Sequence, residues 1–129
     1  MKKLLFVKFA MLFLSLSVSA HGMDDLGPNK GFIQMPGPFH TEVVQNKDGS
    51  YKIYLLDVDF KNPVITNSNV QVTLKDGRSS KLECSGMQDH FHCVGAKKAK
   101  NRGQLLVLAT RDGVKGSEAV YQLPLKLQK

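Results

Sequence analysis

The residues able to do chemistry gather in one ten-residue stretch, Cys84 to Cys93, which reads Cys-Ser-Gly-Met-Gln-Asp-His-Phe-His-Cys. It holds both cysteines of the chain, Met87, and two of the four histidines, His90 and His92. Imidazole nitrogens suit copper, zinc and nickel, and a thioether selects cuprous copper. A Gly and an Asp in the middle favour a chain reversal, so the stretch is expected to be a β-hairpin closed by a disulfide. Alternation along the strand then puts Phe91 and Cys93 on the buried face and His90 and His92 together on the outer one, at i and i+2. That pair makes a half-site for a transition metal, with Met87 in the adjoining turn. The plainer reading is two solvated histidines near a loop tip.

Two further histidines bear on this choice. His21 is expected to be the first residue after removal of a signal peptide. An N-terminal histidine offers its α-amine and a ring nitrogen to one ion, and that amine has a reference pKa of about 7.7–8.0. Its other reading is the first residue of a frayed tail, since Gly22-Met23-Asp24-Asp25 follows. His40 opens a predicted strand after Gly37-Pro38-Phe39 and either completes a site or serves the fold. Met23, Met35 and Met87 all fall in predicted loops or turns, where core packing explains them less well. Asp57 and Asp59 alternate on a predicted strand and offer a hard ligand or a solvated face.

Residues 1–20 read as a secretory signal peptide. Lys2 and Lys3 form the basic start, Leu4 to Val18 is mostly apolar, and Val18-Ser19-Ala20 offers small residues for cleavage between Ala20 and His21. The apolar run is too short and interrupted for a membrane span. A periplasmic or secreted location follows, and there two cysteines pair with each other. The chain-entropy model gives so short a loop roughly 2–3 kcal/mol. The whole chain has 18 basic and 11 acidic residues. Cleavage removes Lys2, Lys3 and Lys8 and no acid, leaving 15 basic and 11 acidic, a net +4. That mild charge, with no stacking aromatics beside it, excludes a nucleic-acid footprint. The cluster Lys97, Lys98, Lys100, Arg102 is a solvated loop or a contact for polyanions.

Catalytic signatures are missing. There is no Gly-x-Ser-x-Gly, phosphate loop, dinucleotide fingerprint or His-Glu-x-x-His. Paired cysteines supply no nucleophile. The remaining enzymatic idea is oxidative copper chemistry at His21.

The elements that must position these groups are strands. Residues 21–38 form a Gly/Pro-rich segment, with a short edge strand at Phe32-Ile33 ended by Pro36. A single domain over 39–129 follows. His40–Gln45 and Tyr51–Phe60, the longest strand, flank the turn Asn46-Lys47-Asp48-Gly49-Ser50. Val70–Leu74 alternates with period two. Lys75-Asp76-Gly77-Arg78 is a turn, Ser80–Cys84 and Phe91–Val94 form the disulfide hairpin, and Leu105–Thr110 is an apolar strand, buried on both faces or central. Asp112-Gly113 and Lys115-Gly116 turn the chain, and Ala119–Leu127 closes it at an edge marked by Pro124. Seven or eight short strands with regular turns and no amphipathic helix predict an antiparallel immunoglobulin-like sandwich.

One part of the chain has a family likeness. The run Gly27-Pro28-Asn29-Lys30-Gly31, then Phe39-His40-Thr41-Glu42-Val43, then Tyr51 to Asp57, resembles small periplasmic β-domains found alone or attached to membrane fusion proteins of heavy-metal efflux systems. Their pattern has a Gly-Pro-Asn/His-Gly-Gly turn, an aromatic-His-x-Glu strand and a strand ending in an acidic residue. This chain departs at Lys30, where the pattern has Gly. The resemblance spans roughly residues 21–60 and implies metal handling, with His40 the carried-over ligand. The C-terminal half is similar, at fold level, to copper-resistance sandwiches of the periplasm.

Together these readings give an exported, non-catalytic metal-binding sandwich, copper favoured over zinc or nickel, that buffers, delivers or confers resistance to the ion. Its ligands come from His90, His92, His21, His40 and Met87. A periplasmic protein, such as an efflux or assembly component, is the accompanying partner. The alternatives are a metal-free interaction module and, third, a copper oxidative enzyme.

Overall fold

A computed structural model describes residues 25–95 and 101–127. The expected signal peptide, its cleavage site, His21 and Met23 lie outside the described residues. So do three lysines of the basic cluster, at positions 97, 98 and 100.

Ten strands and no helix make up the described chain: β1 Phe32–Gln34, β2 His40–Gln45, β3 Tyr51–Leu56, β4 Asn69–Asp76, β5 Arg78–Lys81, β6 Glu83–Gly86, β7 Phe91–Val94, β8 Gly103–Arg111, β9 Val114–Lys115 and β10 Ala119–Leu123. Five of them pair antiparallel in the order β1-β2-β3-β7-β6. The other sheet runs β10-β8-β4-β5, with β9 paired to β8. Hairpin β2–β3, crossing to β4–β5, return to β6–β7 and final crossing to β8 and β10 reproduce the immunoglobulin-like strand order.

Alternation builds the core. Val43 of β2, Tyr51, Ile53 and Leu55 of β3, Phe91 and Cys93 of β7 face Val70, Val72, Leu105, Val107, Ala109, Ala119 and Tyr121 of the other sheet. Phe39 plugs one end, beside Gly116. Tyr121 crosses the sandwich: its hydroxyl bonds the Thr41 hydroxyl at 2.6 Å and donates to the Thr41 carbonyl at 2.9 Å. Burial pushes its phenol well above the ordinary range, so the ring is held neutral.

The chain departs from the predicted elements at several places: β10 stops at Leu123, short of Leu127, and β8 is central but buries only alternate residues. Tyr51–Phe60 is not one strand, because the Asp57 carboxylate collects the N–H groups of Asp59 and Lys61 and the Asn62 amide and rolls the chain into a turn. Asp57 and Asp59 therefore do not alternate on a strand, and β8, at nine residues, is the longest. Ser80–Cys84 is divided. Its first residues pair with β4, Leu82 donates to the Val72 carbonyl, and the chain then changes sheet so that β6 meets β7. Ten strands replace seven or eight, through this division and the two-residue β9.

Candidate functional site

Cys84 and Cys93 are directly opposite in the β6–β7 register and form the disulfide. With Cys93 fully buried, alternation turns His92 to the outer face of the sheet, opposite Ser85 on one side and Lys52 on the other. His90 precedes β7, and the register carried one step further sets it between Met87 and Tyr54. A bond of 2.8 Å from the Met87 N–H to the His90 carbonyl closes the turn. Met87 is 48% exposed.

The two imidazoles share a face but lean to different partners. The His90 ring lies 5.1 Å from the Tyr54 ring, and its Nδ1 donates to Asp89 Oδ1 at 2.7 Å. That bond commits Nδ1–H and leaves Nε2 with its lone pair. His92 Nε2 lies 3.2 Å from the Ser50 hydroxyl. The Ser50 hydroxyl gives its single proton to Asp48 Oδ1 at 2.5 Å, so His92 Nε2 is the donor and its Nδ1 keeps the lone pair. Tyr54 and Ser50 are four residues apart along one extended chain, about 13 Å at strand spacing. The structure therefore puts His90 and His92 on one surface without turning them toward one point.

Ser50 has the company of a nucleophile, with Asp48 and His92 beside it, but the wrong order of bonds. Its hydroxyl donates to the carboxylate and accepts from Asn46 Nδ2 at 2.8 Å and from His92. All its bonding capacity is spent on Asp48, Asn46 and His92, and the imidazole acts as donor rather than base. These same hydrogen bonds from Ser50 hold the Asp48 carboxyl below its ordinary range. The sequence flagged this segment only as a turn; the Asp-Gly-Ser spacing was the signal for the network.

His40 occupies a different setting. Its Nδ1 donates to the Asp57 carbonyl at 2.9 Å, its ring stacks on Phe60 at 4.2 Å, and only 5% of the residue is exposed. Next to it on the same outer face, Glu42 is wholly buried. The Glu42 carboxylate accepts from Asn29 N, Asn29 Nδ2 and Gly31 N at 2.8–2.9 Å. Gly27 and Gly31 are needed for this approach. A Cβ on Gly27 would stand 2.5 Å from Ile33 Cδ1, and one on Gly31 would stand 2.7 Å from the Val43 carbonyl oxygen. Sequence reasoning missed Glu42, though its place two residues after His40 on an alternating strand puts both on one face. Tyr54 lies between these two regions, and burial, then the Asp89 and Glu42 charges, raise its phenol above the ordinary range.

Met35 is exposed at the sandwich end, apart from this hairpin in the strand order. Among the described residues no three His, Cys, Asp or Glu side chains form a ready-made metal cluster, and no buried side-chain nitrogen or oxygen lacks a partner. No protein-family model, curated protein or solved structure matches the chain.

Proposed function

We propose that this is an exported, non-catalytic metal-binding protein, with copper the favoured ion, and that it passes the ion on rather than storing it. The observation that carries the reading is the Asp89–His90 pair. A carboxylate on Nδ1 is the usual outer partner of a metal-binding imidazole, fixing the tautomer and raising its basicity. Nε2 is then the ligand atom, and the exposed Met87 stands across the same turn. One imidazole and one thioether suit cuprous copper. Two ligands leave the ion open to a third from His21 or from an acceptor protein, which is what transfer requires, while His92 leans away to Ser50. His40, buried with Nδ1 committed, serves the fold in this reading. The disulfide supports export, since such bonds persist in oxidising compartments.

The test is native mass spectrometry of the disulfide-bonded protein with cuprous and cupric copper and with zinc. One copper per chain is expected, lost in His90→Ala and weakened at least tenfold in Met87→Ala. Retention of full binding by His90→Ala removes this site.

The interaction module is the second reading. The edges near Pro36 and Pro124 that suggest it are stitched together. Gln34 donates its amide to the Val120 carbonyl at 2.5 Å and accepts the Val120 N–H at 3.1 Å, filling both outward backbone groups of that residue. A module of this kind has to use another edge.

A further inference from the structure

The two rims of the β10-β8-β4-β5 sheet are finished differently. β10 is capped by Gln34, whereas all four residues of β5 are exposed and, among the described residues, no strand pairs with its outer side. The N–H of Leu82 reaches the Val72 carbonyl. In an antiparallel ladder alternate residues point their backbone groups the same way. Arg78 and Ser80 therefore face β4 with Leu82, and Ser79 and Lys81 turn their N–H and C=O groups outward. Four consecutive ladder positions are open to a further strand.

Charge selects the occupant. Lys75, Arg78 and Lys81 line this rim. Its carboxylate, Asp76, is engaged by Arg102 Nε at 2.8 Å. The outward strand positions behind it are Gln71 and Thr73 of β4, Gln104, Leu106, Leu108 and Thr110 of β8, and Val120 and Gln122 of β10, with no acid among them. In sequence the acid closest to β5 on its far side is Glu83, which lies beyond the change of sheet on β6. Basic side chains on an edge discourage pairing with a second copy of the same edge. They favour an extended segment of opposite charge, held by main-chain bonds and flanking ion pairs. We propose that β5 is a strand-addition site for an extended acidic segment of a partner protein. The site is separate from the Met87–His90 turn and does not depend on metal.

The probe is a blocked heptapeptide alternating Glu with Thr and Val, titrated into the ¹⁵N-labelled, disulfide-bonded protein. Amide shifts are expected at residues 78–82, largest at Ser79 and Lys81. Binding should weaken at least tenfold when the peptide carries Lys for Glu, or N-methyl groups on alternate amides. Ser79→Pro removes an outward N–H at an edge that tolerates proline, and should abolish the shifts with melting unchanged. If that variant does not fold, Lys81→Glu should reverse the preference toward the Lys peptide. Four results would overturn the proposal: no shift at millimolar peptide, equal binding of the Lys peptide, shifts centred on Leu106 and Leu108, or shifts at 78–82 on concentrating the protein alone.

Discussion

His40 and His90 stand on the same outer face of the same sheet, and each donates Nδ1–H to an oxygen. Around His40 everything is closed. The ring is stacked on Phe60, Asp57 is rolled into its own turn, and Glu42 is sealed under Asn29 and Gly31. Around His90 the partner is a half-exposed carboxylate, and the neighbour across the turn is an exposed methionine. The contrast shows that residue type and tautomer do not fix a histidine's surroundings: the same Nδ1–H bond sits in a closed corner at His40 and beside exposed side chains at His90.

The strongest way to break this contrast is at Glu42. Glu42→Ala leaves three donors without a partner, and should cost about 3–5 kcal/mol by urea denaturation. A loss under about 1 kcal/mol would mean the corner is not closed as described. Gly27→Ala forces a methyl group against Ile33 and the Glu42 carboxyl, and should cost about 1–3 kcal/mol. The two histidines can be compared directly. His40→Ala should lose about 2 kcal/mol of stability. His90→Ala should stay within about 1 kcal/mol while copper binding is lost. Equal stability losses would erase the distinction.

Two smaller effects sharpen it. Lys30 sits at φ 60° in the turn over Glu42, a left-handed conformation that glycine adopts without strain. Lys30→Gly should therefore stabilise the protein by about 0.5–1 kcal/mol, shown by a higher urea midpoint. Asp57 is held below the ordinary carboxylate range by hydrogen bonds, first from Lys61 N–H and then from the Asn62 amide. A depressed carboxyl contributes stability above its unfolded value, about 3.9, and loses it as pH falls through the folded one. Asp57→Ala should flatten the acid limb of the stability curve below about pH 4, and parallel limbs would show that the turn adds nothing there.

The fold was legible because alternation is a local signal. Val70 to Leu74, the Asn46–Ser50 turn and the cysteine pair each announce themselves within a few residues. The change of sheet at Leu82 was not legible, since a run of polar residues from Arg78 to Ser80 carries no facing preference. The end of β3 was hidden for a related reason. Tyr51 to Phe60 has no Gly, Pro or Asn to mark an end, and only the Asp57 side-chain bonds break it. At the candidate site, sequence placed the histidines on the outer face but could not reveal that His92 leans to Ser50 and His90 to Tyr54. Nor could it show that the resemblance residues form one hydrogen-bonded corner, because Asn29 and Glu42 meet only through the fold.

The clasps of Gln34 on Val120 and Tyr121 on Thr41 join residues 86 and 80 positions apart. A chain made from its N-terminus can close the β2–β3 hairpin early, since that pairing is local. The seal at this rim waits for nearly the last strand to arrive. Until then the rim at β1 lacks its clasp, so the interval between synthesis of residue 45 and residue 121 leaves that edge open to mispairing. Sheltering that edge during the wait is expected to raise the yield of folded protein.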